Sequence, residues 1–583
     1  MTDSITTSDA SISPASGQWR GRPWLLALLR VHGPAAAAGL ALGLLALGPG
    51  LARGFLLTYD MVFVPSPPFS KALLGLGGGP PRAVPSDAAI TVAARVIPSD
   101  LLQKLILLMI FVAACAGAAA LLATGWRAAR GSDAPILACL VSGVFYAWNP
   151  FVAERLLIGQ WALLLGYAGL PWVLREVCAG PIRIRWRRLA LVMLPAAIGG
   201  FAALTVTGLA VLPASLARGG GAARWRRLAT VLVLLAVFSL PWLIPSLLVQ
   251  VHADPAGAEF FAVRADTPLG PLGSLVMLSG SWNSQTVPRG YGGAGSVFWL
   301  LVVACALGCY VLVARRQRGW SGLGLAGLLG LGISAIGVTS ITRAMLHGLI
   351  AFWSGFAVLR DYQQFVAALA LVEAIGLGAG AARLLGRDQH LSTRPTTPQP
   401  GRQRPETAAV VLALLAIMAP LILLPGLAWG LAGRLRPVQY PVDWLAARQI
   451  IDKSPQRGSV LLLPWGAYRR YPWDKGEAVY DPWNKLLSRE VISNDGLEVG
   501  TKALAQESPD SIRLNRIVSA SGSITGPLRA AGVRFVVVDA GPLLAAQPVT
   551  RAGQSGFAAQ ARLPGARVML ASRDLVVFLL PGT

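Results

Sequence analysis

Asp60 stands alone: from Asp9 onward it is the first acid in the chain, and it falls where a long apolar stretch gives way to the Pro/Gly-rich segment LLTYDMVFVPSPPFS. An ionisable side chain kept at a membrane surface, where a hydrophobic span ends, is placed to act as a base. The bland alternative is a helix-end carboxylate that caps the span or pairs with Arg53. Asp87 and Asp100 lie in the same stretch and are the reserve acids. Other chemistry-bearing residues fall in three further segments. NPFVAERLLIGQ (149–160) holds Glu154 and Arg155, either a surface ion pair or part of a site. Residues 251–295 carry Asp266, Trp282, Asn283, Arg289 and Tyr291 among several prolines and glycines. LRDYQQF (359–365) holds Arg360 and Asp361, which read either as a local pair or as a phosphate contact, since guanidinium offers planar bidentate donors to phosphate oxygens. Glu154, Asp361, Gln364 and Trp282 are candidate sugar contacts. So are Trp465, Tyr468 and Trp473 of LPWGAYRRYPWDKGEAVYDPWNK (463–485), where aromatic faces beside carboxylates suit sugar recognition or, equally, a seat at the membrane interface.

These residues need elements to position them, and the composition says which. Of the chain's residues 54% are hydrophobic and only 13% charged, far from a soluble globular protein, so the chain reads as a polytopic membrane protein. A bilayer core of ~30 Å takes about 20 apolar residues per helix. Nine segments qualify, near 25–48, 101–124, 133–148, 157–174, 228–250, 296–314, 321–340, 363–385 and 407–433. Residues 189–217 are apolar but broken at Gly199-Gly200 and flanked by Arg clusters, which predicts a short re-entrant or interfacial helix pair returning to the same side. One long tilted helix would invert every later loop.

Lys and Arg gather in WRAAR (126–130), REVCAGPIRIRWRR (175–188), ARRQRGW (314–320) and the polar stretch 386–406, marking these as cytoplasmic and the charge as topology, with no nucleic-acid partner. Residues 1–22 then form a disordered cytoplasmic tail, 23–433 the transmembrane domain with outer loops 49–100, 149–156, 251–295 and 341–362, and 434–583 an extracytoplasmic α/β domain built on GSVLLLPWG, VRFVVVDAG and ARVMLASRDLVVFLL. The four histidines are scattered, so no metal site is predicted from them, and a divalent-cation requirement is left open. No Walker A sequence is present, so no nucleotide cofactor is expected. A transporter would show matched halves and mid-span ionisable groups, whereas the acids here gather at the outer ends of spans. A non-catalytic scaffold is the third class.

The loop bearing Asp60, the run NPFVAERLLIGQWALLLGYAGLPW (149–172), LRDYQQFVAALAL (359–371) and LPWGAYRRYPW (463–473) together resemble the actinobacterial membrane glycosyltransferases of the GT-C fold, most of all the AftD-type arabinofuranosyltransferases. That resemblance implies a polytopic GT-C-like fold and an inverting transfer of a sugar from a polyprenyl-phosphate donor to a cell-envelope glycan or glycolipid such as arabinogalactan or lipoarabinomannan. The setting is the outer face of the plasma membrane, among membrane lipids. It implies Asp60 as the base, and Arg360, Arg155 and Arg289, in that order, as donor-phosphate contacts. Arabinofuranose is the favoured sugar, with a polyprenyl-phosphomannose donor as the alternative.

Overall fold

The computed structural model describes residues 23–77, 81, 83–179, 185–217, 220–249, 252–314, 318–386, 404–499, 502–539 and 559–582. The expected tail 1–22, most of 386–406 and His390 lie outside the described residues.

Each of the nine expected spans contains a helix, although 157–174 is helical mainly over the short Trp161–Leu174 and 407–433 is broken near residue 424. Seven helical runs among the described residues are long and apolar enough to cross a membrane, one of them the run Trp186–Ala217 that is broken at Gly200, and two further pairs, Trp320–Ala335 with Ser340–Phe352 and Thr407–Leu423 with Pro425–Gly433, are bent by 89° and 64° at short breaks. The chain is a multi-pass membrane protein. Its outermost helices, such as Gly221–Leu248, show Leu232, Val233, Val237 and Leu247 to the surroundings, as lipid-facing helices do. The inner helices Ile136–Ala147 and Trp161–Leu174 are shorter than a bilayer needs and are wrapped by protein on nearly every side.

The segment 189–217 forms a helix pair. The helical run Trp186–Ala217 is broken at Gly200, whose φ of 74° only glycine adopts readily. A Cβ on Gly166 would lie 3.5 Å from Ala196 Cα and 2.5 Å from Ala203 Cβ. Residues seven apart on a straight helix are separated by about 10 Å, so the chain must reverse between them. The reversal meets the backbone of Val84, in the same loop as Asp60. Both feet stand at the other end of the bundle: Ala214 and Ala217 pack on Gly322, and Arg188 comes near Arg175, which donates to Thr124.

Two expected loops are helical. Residues 149–156 belong to the helix Pro150–Ile158, because Asn149 Oδ1 accepts from the Val152 amide and Pro150 is pre-set for a first helical turn. Residues 341–362 begin with the helix Ser340–Phe352, which buries Leu346 and Ile350 and exposes Ile341, Met345 and Phe352 at helical spacing. The expectation that acids keep to span ends also meets an exception. Glu373 is wholly buried in the Ala367–Gly386 helix, with no hydrogen-bond partner on either oxygen.

The C-terminal part carries a five-stranded sheet in the order Arg567–Ala571, Leu575–Leu579, Val533–Asp539, Ser459–Leu463, Val491–Ile492; the last two pairings are parallel and the first two antiparallel. Its period-2 alternation splits the core. Leu461, Val536 and Val538 join Leu514 and Leu528 on one face, while Val460, Leu462 and Val537 join the larger core on the other. Two backbone pairings stitch this part to the Asp60 loop: Phe55–Leu56 pairs with Pro437–Val438, and Tyr59 bridges to Val479.

Candidate active site

Asp60 lies well past the end of the first helix, in a tight turn closed by the Thr58–Met61 bridge, with Tyr59 at φ 38°. A non-glycine residue at positive φ is strained and persists only when its neighbours hold it. Here the neighbours come from several parts of the chain. The Asp60 amide donates to Ile158 O at 2.9 Å, Thr58 Oγ1 donates to Leu157 O, and Tyr59 exchanges backbone hydrogen bonds with Ala478 and Tyr480. The turn comes so close to Gly159 that a Cβ there would meet Met61 N and Thr58 O at 2.3 Å, so that position requires glycine.

The Asp60 carboxylate accepts a 2.5 Å hydrogen bond from the Tyr468 hydroxyl and a longer 3.5 Å contact from the Gln160 amide. Gln160 is itself held by Arg155, whose Nη1 donates to Gln160 Oε1 at 2.5 Å. Arg155 is wholly buried, and its remaining donors reach Asp361 in bidentate fashion at 2.6 and 2.9 Å and Gln363 at 2.7 Å. Three loop regions, those bearing Asp60, Arg155 and Asp361, thus meet the C-terminal part at Asp60.

The two adjacent charge pairs do not pair with each other. Arg360 forms a bidentate pair with the buried Glu507 and lies over the Phe261 ring, while its neighbour Asp361 turns to Arg155. Glu154 and Arg155 are both fully buried, and the Glu154 carboxylate goes to the Ser281 amide. Both arginines ranked first for phosphate are therefore committed to carboxylates. The reserve acids serve as anchors, Asp87 to Lys485 at 2.8 Å and Asp100 to the Gly54 amide.

Arg289 has a different setting. It lines a polar cavity of about 230 Å³ together with Arg434, Arg436, Lys475, Asp474 and Glu477, with Leu57 in the same wall. Tyr59, next to Asp60, feels the charges of Arg434, Arg470 and Glu477. Burial pushes the Asp474 carboxyl up to about 8, with Glu477 adding to the shift, so Asp474 is protonated near neutral pH. Glu477 then remains as the single negative charge facing four positive ones. The backbone that presents Arg434 and Arg436 runs through a left-handed turn, with Trp429, Leu431 and Ala432 at φ between 52° and 58°. Such a conformation costs roughly 1–2 kcal/mol per non-glycine residue.

Among the candidate sugar contacts only Tyr468 and Asp361 join the Asp60 network. Trp473 packs among Tyr440, Trp444 and Tyr471. Trp465 donates to Asn515, Trp282 packs edge-on to Phe261, and the buried Gln364 donates to Val358 O. The residues that sequence reasoning did not single out are Gln160, Gln363, Tyr59, Arg434, Arg436 and Asp474. Arg434 and Arg436 had a signal, two cations just past the last span, but it read as a boundary.

No protein-family model matches the chain, and no curated protein matches it. Solved structures do. The cryo-EM structure of the arabinofuranosyltransferase AftD from mycobacteria matches with a TM-score of 0.57 and 15% identity over 95% of this chain and 40% of that one. A mutant form of that enzyme matches with a TM-score of 0.56, 16% identity and coverage of 95% and 42%. ArnT from Cupriavidus metallidurans matches over 95% of this chain and 97% of that one, at 12% identity and a TM-score of 0.37. The chain thus spans about 40% of the length of AftD and shares its fold over that part. The architecture is GT-C-like.

Proposed function

We propose that this chain is a membrane glycosyltransferase that moves a sugar from a polyprenyl-phosphate donor to a cell-envelope glycan or glycolipid, with inversion, on the outer face of the plasma membrane. The observation that carries the reading is the placement of Asp60, hydrogen-bonded by Tyr468 and flanked by Gln160, in a turn whose neighbouring residue Tyr59 feels the charges of Arg434 and Glu477, two of the residues lining a cavity with four cations. The arabinofuranosyltransferase whose fold the chain shares favours arabinofuranose over mannose as the sugar.

In this mechanism Asp60 takes the proton from the acceptor hydroxyl as its oxygen forms a bond to the anomeric carbon. The bond from that carbon to the phosphate oxygen breaks, and the lipid phosphate leaves with both electrons. The phosphate gains a second negative charge in the step. Cations fixed where charge develops lower the barrier, because they interact more strongly with the leaving dianion than with the starting diester. Arg289, Arg434, Arg436 and Lys475 are assigned that role. Arg155 acts at one remove: it fixes Gln160 and Asp361, and through Gln160 the orientation of Asp60. Tyr468 donates to Asp60 Oδ1 and Gln160 meets Oδ2, so the two together orient the carboxylate toward the acceptor.

The test uses purified full-length protein with radiolabelled polyprenyl-phosphoarabinose or polyprenyl-phosphomannose and a synthetic glycan acceptor. Transfer from the arabinose donor is expected, falling by about 10²–10⁴-fold in Asp60→Asn, the usual contribution of a general base. Equal transfer by both proteins removes Asp60 from the mechanism. Transfer from the mannose donor alone reassigns the sugar, and no transfer from either points to a transporter or scaffold.

A further inference from the structure

Glu154 takes no part in the Asp60 network, although its neighbour Arg155 is central to it. It points instead into the segment 264–281, where it meets a second buried acid. Glu154 Oε2 accepts from the Ser281 amide at 3.2 Å, and Asp266 Oδ2 accepts from the preceding amide, Gly280, at 2.8 Å. Two carboxylates bound to consecutive amides are close enough for Glu154 to feel the charge of Asp266, and both are almost completely shielded from solvent, Glu154 at 0% and the Asp266 side chain at 1% exposure. Each keeps one oxygen, Glu154 Oε1 and Asp266 Oδ1, without a hydrogen-bond partner. Ser281 Oγ, on the very residue whose amide binds Glu154, is likewise buried and without a partner. Arg264 forms a long ion pair with that same Asp266 Oδ1, at 3.6 Å and with its own side chain 42% exposed, too long for a hydrogen bond, and Glu154 feels the charge of Arg155.

Two like charges brought together out of water cost far more than one, unless a positive charge is bound between them. The ligand set here is all oxygen: two carboxylates and a hydroxyl. Hard divalent cations prefer such sets, and calcium tolerates irregular ones, completing its shell with backbone carbonyls or water. Among the described residues no three His, Cys, Asp or Glu gather at one place, so this is a two-carboxylate site completed by a hydroxyl. We propose that Glu154, Asp266 and Ser281 bind a divalent cation of the calcium class, which clamps the segment 264–281 onto the helix Pro150–Ile158. The clamp is separate from Asp60 and acts on position: it fixes the helix that aims Arg155 at Gln160 and Asp361.

Trp282 follows Ser281 in the chain and supplies an optical reporter. Terbium, a calcium surrogate, is added to the detergent-solubilised full chain and its emission is read under tryptophan excitation, with calcium as competitor. Saturable emission displaced by calcium is expected, weakened at least tenfold in Glu154→Gln and Asp266→Asn and unchanged in Asp510→Asn, an exposed acid elsewhere. Calcium should also raise the Tm of the wild type and leave that of both variants unmoved. Ser281→Ala removes only the hydroxyl and guards against misfolding of the acid variants; its terbium affinity should fall while its calcium-free Tm stays at the wild-type value. Emission indifferent to both acid substitutions, or a wild-type Tm indifferent to calcium, overturns the proposal. The second result, together with Glu154→Gln as stable as wild type, would assign the pair to a shared proton.

Discussion

Arg155 is the residue on which the site turns, and its burial makes it testable apart from activity. A fully buried guanidinium whose donors go to Asp361, Gln160 and Gln363 is stable only while its countercharge stays in place. Removing Asp361 alone strands a buried charge, so Asp361→Asn should destabilise the protein by about 3–5 kcal/mol. The double variant Arg155→Met with Asp361→Leu should recover much of that loss in thermal unfolding while transfer stays as low as in the single variants. Recovery of both would show that the pair serves folding only. Asp474 gives a second prediction at this scale. Its carboxyl, pushed up to about 8 by burial, is neutral and without a partner on Oδ2 at pH 7. As pH rises through 8 it ionises and puts a negative charge among the cations proposed to hold the donor phosphate. The KM for donor should therefore rise above pH 8 with kcat little changed, and Asp474→Asn should flatten that rise; a profile identical to wild type would remove Asp474 from the donor cavity.

The hairpin Tyr468–Arg470 with Ala478–Tyr480 joins the site to the C-terminal sheet, and its alternation explains how. Tyr468 and Arg470 point toward Asp60 and Gln285, while Arg469 points the other way, between Asp481 at 2.9 Å and Asp539 at 2.6 Å. One guanidinium thus faces two buried carboxylates. Burial raises both acids, Asp539 to about 7, and the two carboxylates in turn hold Arg469 charged. Groups raised in the folded state stabilise it fully below their unfolded value of about 4, and that contribution is lost as pH climbs through the folded value. The C-terminal part should therefore lose thermal stability between about pH 4 and 7, followed through the fluorescence of the stacked Trp444 and Trp483. Asp539→Asn, which leaves one charge pair, should remove most of the pH dependence. A Tm that stays level or rises over that range in the wild type would contradict the shared-charge account.

Across the whole molecule, what could be read in advance follows the range of the interactions. Spans, the reversal at Gly199-Gly200 and the C-terminal strands rest on local pattern, and the fold carries them. Asp60 was visible because no acid precedes it for fifty residues, yet its partners Gln160 and Tyr468 lie 100 and 408 positions away, and no spacing rule pairs them. For the same reason adjacent residues misled: Arg360 beside Asp361 reads as a pair, but packing sends one to Glu507 and the other to Arg155. The reversal at Gly200 decides the sidedness of everything after it. With Gly166 wedged between Ala196 and Ala203, and with Ala214 and Ala217 against Gly322, the chain folds back between 186 and 217, and residue 217 is expected on the side from which the chain entered at 186. Single cysteines placed in a background freed of the five native ones report this directly. Gly131→Cys and Gly220→Cys, on either side of the reversal, should react with a membrane-impermeant maleimide only after the cells are opened. Gly293→Cys and Ala520→Cys, in the loop that carries Arg289 and in the C-terminal part, should react in intact cells. Labelling of Gly220→Cys in intact cells while Gly131→Cys stays protected would mean that 186–217 crosses the bilayer once. Asp60 and the cations at 289, 434 and 436 could not then share a face of the membrane, and the proposed transfer would have no site.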